Sequence, residues 1–362
     1  MVNKDFLVID GALVARSPHT SMYLNILDRH NLSYDVFVWN RKGDVITDLP
    51  DNHIVYDHKT KDDYPAWKKL ISIYKFYKFV KMRTETTKYK AVVIFDIANS
   101  FFFFKYLKNN YSNKYIYDIR DYSPLIRIKP ARYVIKQLIN NSYTTVISSN
   151  GFQKWLPPYS NYTISHNIDI DIFNSLISTP YKPISHIVEI LTIGNLRDPE
   201  MNCLVAKSFA NDQNFHMRFV GDGAALPKIQ NFCKSQNISN VSYYGHYKKN
   251  EEVSFYQNSD IINCCMEDNM LSNYLMSNRI YLAALLQKPI ICYDGSYQSY
   301  IIEKYHLGCV LRKGDDPHFS LKEYLQHFNI EEYLNGRKNF LDIVKSEQMS
   351  FENTLVKVLN KS

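Results

Sequence analysis

No uninterrupted apolar run of about 18 residues occurs in the chain, which excludes an ordinary membrane-spanning helix. Glycine and proline are sparse, at 11 and 13 residues, and 45% of the chain is hydrophobic, so collagen-like, low-complexity and disordered classes are excluded as well. There is no cysteine before Cys203. The six present, Cys203, Cys233, Cys264, Cys265, Cys292 and Cys309, form no C-x-x-C pair and sit mostly in apolar runs. That pattern fits buried reduced thiols better than a disulfide framework or a zinc site. The 11 histidines show no H-x-x-x-H or H-E-x-x-H spacing, and no G-x-S-x-G elbow is present. Metal and nucleophilic-serine chemistry have little sequence support.

What is present is 362 residues, enough for two domains of about 100–200 residues each. The 29 tyrosines and 20 phenylalanines are many for this length and read first as packing. Charge is unevenly placed: residues 1–165 carry 24 Lys and Arg against 14 Asp and Glu, whereas the remainder carries 19 against 22. A basic first half and a mildly acidic second half suit different partners. Met1 is followed by polar Asn3, Lys4 and Asp5 and then the short run Phe6–Asp10, too short for a signal-peptide core, so a cytoplasmic location is expected.

Short β-branched or aromatic runs alternate with longer amphipathic stretches. Strands are expected at Phe6–Ile9, Tyr34–Trp39, Ala91–Phe95, Tyr115–Asp118 and Thr144–Ser148, with helices at Ser21–Arg29, Tyr64–Arg83, Phe101–Asn109 and Ala131–Asn140. The order then restarts, with six strands from Glu189–Ile193 to Cys309–Leu311 separated by helical patterns. Buried strands alternating with crossover helices predict an α/β architecture of two Rossmann-like, doubly wound parallel sheets facing across a cleft. The expected domains are 1–175 and 186–345, joined by the Pro180- and Pro183-containing segment Ser175–Ser185. The tail, 346–362, is expected to pack back as a helix with Phe351, Leu355, Val356 and Leu359 on one face.

In such sheets ligands gather beyond the carboxyl ends of the strands. Three loops there carry candidate groups: Asp10-Gly11, Ile193-Gly194-Asn195-Leu196-Arg197 and Val220-Gly221-Asp222-Gly223. Glycines at a strand-to-helix junction can present backbone N–H groups to a phosphate, and equally can make plain turns. Arg197 and Arg279 could hold a diphosphate bidentately, with a solvated loop arginine as the plain alternative. Asp118-Ile119-Arg120-Asp121 places two carboxylates around an arginine, fit for acid–base work or for a structural ion-pair cluster, and Asp96 is a further carboxylate at the same end. The stretch Trp67–Arg83 mixes Trp67, Lys68, Lys69, Lys75 and Lys78 with many apolar residues. It reads as an anionic-membrane contact, or as a core helix whose lysines snorkel. Nucleic acid is not expected, because no nucleic-acid module accompanies the charge.

The order of motifs resembles GT-B glycosyltransferases, especially family 4-like enzymes of bacterial capsule, exopolysaccharide and lipopolysaccharide assembly. The matching runs are LTIGNLR (191–197), FVGDG (219–223), NVSYYGHY (240–247), EVSFYQNSDII (252–262), SNRIYLAALLQKPII (277–291) and LGCVL (307–311). In the first half they are YIYDIRD (115–121), VISSNGFQKWL (146–156) and SHNID (165–169). The resemblance implies transfer of a sugar from a nucleotide-diphosphate donor to a hydroxyl of a glycan or lipid-linked acceptor at the inner face of the cytoplasmic membrane. It implies no cofactor and no metal, and favours a retaining over an inverting course. By position it places Gly11, Asn195, Arg197, Gly223, Tyr247, Asn278 and Arg279 at the donor, and Asp118, Arg120 and Asp121 facing the acceptor as the catalytic residues. Three residues depart from the family pattern. Leu282 stands where an acid binds the donor ribose, which leaves open a changed donor, a substitute such as Glu267, or lost activity; Gln287 replaces a glycine, and Arg120 replaces a histidine. A non-catalytic partner subunit and a nucleotide-sugar 2-epimerase of the same fold are the alternatives.

Overall fold

The computed structural model describes residues 2–47, 49–61, 63–159 and 161–360. The chain divides into two compact units, Met1–Asn167 with Ser346–Ser362, and Ile168–Lys345. The division falls after Asn167, so the helix Ile170–Leu176 lies in the second unit. There its Phe173 joins a core with Leu191, Ile193 and Ile280. A second division falls inside the helix Ile330–Lys357, of which the sequence pattern had suggested only the last turns.

The first unit is built on seven parallel strands: β1 (Val2–Asp10), β2 (Tyr34–Asn40), β3 (His53–Asp57), β4 (Thr87–Phe95), β5 (Tyr115–Ile119), β6 (Thr144–Ile147) and β7 (Tyr162–Ile164), in the order β3-β2-β1-β4-β5-β6-β7. The central strands are buried on both faces, which is why Phe6–Ile9 and Ala91–Phe95 read as continuous apolar runs. Phe6 stands in register with Tyr34 on one side and Ala91 on the other. Phe351, Leu355 and Val358 of the carboxyl-terminal segment complete this core beside Phe6 and Val8. Their spacing makes 351/355/358 the buried face, whereas Val356 and Leu359 lie at its margin.

The second unit carries six parallel strands: β8 (Val188–Ile193), β9 (Phe215–Val220), β10 (Val241–Gly245), β11 (Ile261–Asn263), β12 (Ile290–Tyr293) and β13 (Gly308–Leu311), ordered β10-β9-β8-β11-β12-β13. The six cysteines are all free and none lies in a disulfide. In each sheet the strand order reverses once, between β1 and β4 and between β8 and β11. Crossover helices leave opposite faces at that point and open a crevice beyond the strand ends. The residues that follow those four strands are therefore the ones to inspect.

Candidate functional site

In the first unit, β1 and β4 deliver Asp10, Gly11 and Asp96 to the switch point. Asp10 is almost wholly buried and accepts from Ser17 Oγ (2.5 Å), Thr20 Oγ1 (2.5 Å) and Ala12 N (3.0 Å). It anchors the loop and the start of the helix Pro18–Arg29. Gly11 has no room for a side chain, since a Cβ there would stand 2.2 Å from Asn99 Nδ2, and its carbonyl accepts from Arg41 Nε. His19, in the first turn of that helix, bonds Ser17 Oγ at 2.8 Å, and burial with the nearby Arg120 charge lowers its pKa to about 3. It is a neutral imidazole.

Asp96 differs from its neighbours. Its backbone sits at φ +65°, a conformation that costs a non-glycine residue about 1–3 kcal/mol and concentrates at functional sites. Its carboxylate makes no hydrogen bond with any described residue and is part-exposed. Burial, followed by repulsion from Asp10, Asp121 and Asp118, pushes its pKa up to about 8. The sequence placed Asp96 at the right end of the sheet but carried no sign of the strain, because an aspartate after a strand does not by itself announce a positive φ.

The Asp118-Arg120-Asp121 cluster proves to contain two different things. Asp118 and Arg120 form a buried pair, with Arg120 Nη2 donating to Asp118 Oδ2 at 2.6 Å. Nη1 donates to Ser165 O (2.8 Å) and Asn167 Oδ1 (2.9 Å), and Tyr23 donates to the same Asp118 oxygen (2.7 Å). Burial raises the Asp118 pKa and the Arg120 charge opposes it. Both groups are thus engaged in holding the ends of β5 and β7 together. Asp121, one residue on, is exposed. Beside it lies a pair of rings that sequence reasoning passed over: Tyr122 and Trp155, with centroids 5.2 Å apart and with the Tyr122 hydroxyl and Trp155 Nε1 both without a hydrogen-bond partner among the described residues.

In the second unit, the loops after β8 and β9 interlock. Leu196 N donates to Asp222 O (2.8 Å), Gly194 N to Val220 O (3.0 Å) and Gly221 N to Gly245 O (2.7 Å). Gly223 adopts φ +146°, and a Cβ there would stand 2.2 Å from Leu196 O, so only glycine fits. The helix Leu226–Ser235 starts from this loop with its first backbone donors already engaged or missing: Ala225 N donates to Leu196 O (3.1 Å), Leu226 N to Gly223 O (3.2 Å), and Pro227 has no N–H. Asn195 and Arg197 are exposed on the first loop, and Arg197 has no hydrogen-bond partner among the described residues.

Arg279 begins the helix Asn278–Leu285, whose cap Ser277 accepts from its backbone N at 3.4 Å, and Asn278 beside it is exposed. One guanidinium nitrogen, Nη1, is tied to Asn263 O at the end of β11 (2.7 Å), which holds the charged head at the switch point. Burial raises the Asp198 pKa, and the charges of Arg279 and Arg197 both oppose it, so the two arginines and Asp198 share one neighbourhood. Tyr247 donates to Glu252 Oε1 (3.3 Å), packs against Phe255, and also feels the Arg279 charge. Glu267, after β11, has a raised pKa from burial and from a hydrogen bond to Glu200. Gly223, Arg197, Arg279, Tyr247 and Glu267 thus gather at one end of one sheet. Gly11, Asp118, Arg120 and Asp121 belong to the other unit.

The three departures have structural counterparts. Leu282 is buried in the core with Ile280 and Tyr281, so that position presents no polar group. Gln287 takes φ +57°, the left-handed backbone a glycine would adopt without strain. Arg120 is the buried partner of Asp118. The triplet Asp169-Ile170-Asp171 has D-x-D metal-motif spacing, but Asp169 caps the helix Ile170–Leu176 by accepting from Asp171 N at 2.8 Å.

The helix Ala66–Arg83 buries only Ser72, Phe76 and Val80. Trp67, Leu70, Ile71 and Tyr74 are 59%, 40%, 48% and 43% exposed, a large apolar surface for a plain core helix. Lys68 lies over the Trp67 ring and Lys78 over the Tyr74 ring, while Lys69 and Lys75 are exposed on the same stretch. No helix among the described residues is long and apolar enough to cross a membrane.

No protein-family model matches the chain, and no curated protein matches it in sequence. Solved structures do match in shape. Sucrose-phosphate synthase from Thermosynechococcus elongatus gives a TM-score of 0.73 at 10% identity, over 99% of this chain and 100% of that one. A trehalose-6-phosphate protein from E. coli, solved with UDP-2-fluoro glucose bound, gives 0.69 at 8% identity over 99% of each. WaaG, a glycosyltransferase involved in lipopolysaccharide biosynthesis, gives 0.61 at 11% identity over the whole of both chains. The two α/β units are those of the GT-B fold.

Proposed function

We propose that the chain is a glycosyltransferase that moves a sugar from a nucleotide-diphosphate donor to a hydroxyl of a lipid-linked glycan acceptor at a membrane surface, in surface polysaccharide assembly. The carrying observation is the second unit's switch point, where a glycine-only backbone loop and two arginines converge. Backbone N–H groups and guanidinium forks are what a departing diphosphate needs for its charge. Tyr247 offers a ring beside the base, and Glu267 offers the ribose a carboxyl that Leu282 cannot. The first unit supplies the acceptor side: Tyr122 and Trp155 as a platform for a sugar ring, and Asp96 as the base. In a direct displacement the acceptor oxygen bonds to the anomeric carbon as the bond to phosphate breaks. Asp96 takes the hydroxyl proton and the diphosphate leaves with the electron pair. That course inverts the anomeric carbon. A retaining course would instead give the proton to the departing diphosphate.

The direct test is thermal unfolding of the protein with UDP, GDP, CDP, dTDP and ADP. A nucleotide at 100 times its dissociation constant should stabilise the fold by about 2.7 kcal/mol. A shift with none of the five supports the second reading, a non-catalytic partner, which Leu282 favours. Arg197→Ala and Arg279→Ala should each weaken binding of the nucleotide that does shift by about 1.5–3 kcal/mol, the worth of a charge-assisted hydrogen bond. Titration calorimetry reads this, and unchanged affinity in both variants removes the diphosphate assignment.

The membrane reading rests on Trp67, Leu70, Ile71 and Tyr74 standing exposed among lysines. Each Lys near an anionic surface adds about 1 kcal/mol. Lys68→Ala/Lys75→Ala/Lys78→Ala should therefore cut sedimentation with phosphatidylglycerol vesicles by about a hundredfold at low salt. Equal sedimentation of variant and wild type would leave this helix without a membrane role.

A further inference from the structure

Asn263 is an amide at a place where a parallel sheet calls for an aliphatic side chain. It ends the interior strand β11, within the otherwise apolar run Ile261–Met266, and is wholly buried. A buried amide is tolerated when both of its ends are hydrogen-bonded, and here both are. Oδ1 accepts from Cys265 N at 2.9 Å, an Asx turn just past the strand, and Nδ2 donates to Thr192 Oγ1 at 2.9 Å. The Cys265 N–H can only donate, which fixes the amide in this orientation.

Thr192 lies on β8, across the switch point. The two strands pair at Ile190 with Ile261 and at Leu191 with Ile262, and there their register ends. Thr192 and Asn263, the next residue along each strand, are joined through their side chains instead. Ile262 N and Cys264 N both donate toward β12, to Pro289 O (2.9 Å) and Ile291 O (2.8 Å). The Asn263 peptide group between them therefore turns to the side where β8 and β11 part. Its carbonyl accepts from Arg279 Nη1 at 2.7 Å. That the acceptor is neutral matters. A carboxylate there would compete with a phosphate for the guanidinium, whereas a carbonyl holds one nitrogen and leaves the charge and the other donors to a ligand. Asp198 is close enough to feel the Arg279 charge, yet no carboxylate among the described residues pairs with it.

We propose that Asn263 is a positioning residue for the donor diphosphate: its side chain sets the peptide whose carbonyl aims Arg279 at the switch point with its charge free. This rests on the assignment of Arg279 to that diphosphate. The test is a double-mutant cycle on the full-length protein, read by titration calorimetry with whichever of UDP, GDP, CDP, dTDP and ADP raises its melting temperature. Asn263→Ala should weaken that nucleotide about five- to tenfold, on the scale of one hydrogen bond. Gln298 still tethers the segment in this variant by donating to Cys264 O (3.0 Å). In an Arg279→Ala background the same change should cost less than about twofold, because residues that act through one another do not add. Asn263→Ser, whose hydroxyl can still accept from Cys265 N, should recover part of the loss. Thr192→Val removes only the bond between the strands and should lose about two- to threefold. Losses that add in the double variant overturn the proposal and leave the donor reading standing. So does wild-type affinity in Asn263→Ala when Arg279→Ala is weakened. If Asn263→Ala melts too early to titrate, Asn263→Ser and Thr192→Val take its place in the cycle, and wild-type affinity in both overturns the proposal equally. Wild-type affinity in Arg279→Ala, or no binding of any of the five nucleotides, removes the donor assignment itself, and this proposal with it.

Discussion

Replacing Asp96 by Asn should give a protein that melts later than the wild type at pH 8 and above yet transfers sugar about 10²–10⁴ times more slowly. The stability half follows from linkage. The Asp96 pKa is pushed from 3.8 up to about 8, by burial first and then by Asp10, Asp121 and Asp118. A carboxyl whose native pKa exceeds its unfolded one holds an extra proton in the folded state between the two values. Its favourable contribution is complete below about pH 4 and is lost as pH rises toward 8. Asn has no proton to lose, so the advantage of the variant grows across that window and is largest above it, at about 2 kcal/mol or more. For units of this size that reads as a rise of about 4–8 °C. Asn tolerates a positive φ as Asp does, so the substitution changes the charge and little else. The rate half has the opposite sign. The wild-type rate should climb about tenfold per pH unit up to about pH 8 and then level, while the variant stays flat. Full activity in the variant, with retained anomeric configuration in the product, would assign the proton to the departing diphosphate. An unchanged melting temperature at high pH would show that Asp96 is well solvated.

What the sequence made legible follows from where each element lies. Central strands such as β1, β4 and β8 are buried on both faces, and their apolar runs stand out. The edge strands β3 and β7 escaped notice because His53–Asp57 and Tyr162–Ile164 are half-buried and mix polar with apolar residues. The helix Pro317–Gln326 had a signal that went unread: Asp316 accepts from His318 N and Phe319 N, with Pro317 in the first turn. Loop positions of Gly223, Arg197 and Arg279 were readable because glycine and motif order mark strand ends. Depth was not. Spacing alone put Asp118, Arg120 and Asp121 together as equals, whereas the fold buries the first two and exposes the third. Nor could spacing bring Trp155 to Tyr122, since 33 positions of chain separate them.

Arg120→Ala should destabilise the protein by about 3–5 kcal/mol, because it leaves the Asp118 carboxylate, wholly buried, with Tyr23 as its remaining side-chain partner. Thermal unfolding should then begin about 6–20 °C lower, at the scale set by a unit of 150–250 residues. The lost guanidinium also frees Ser165 O and Asn167 Oδ1 at the end of β7, so the cost is spread over two strands. Arg120→Lys keeps the charge but not the planar fork that serves Asp118 and Ser165 together, and should fall between Ala and wild type. The informative comparison is Asp118→Leu/Arg120→Met, which removes both charges. A purely structural pair replaced by well-packed apolar groups is often neutral or stabilising, so the double variant should recover part of what Arg120→Ala loses, short of the cost of leaving the Tyr23 hydroxyl, Ser165 O and Asn167 Oδ1 without these partners. If transfer activity recovers with it, Arg120 acts by holding β5 to β7 and so fixing Asp121 and the Tyr122–Trp155 platform. If stability returns while activity does not, the guanidinium meets the substrate directly, and the buried pair seen here is one of two positions it occupies.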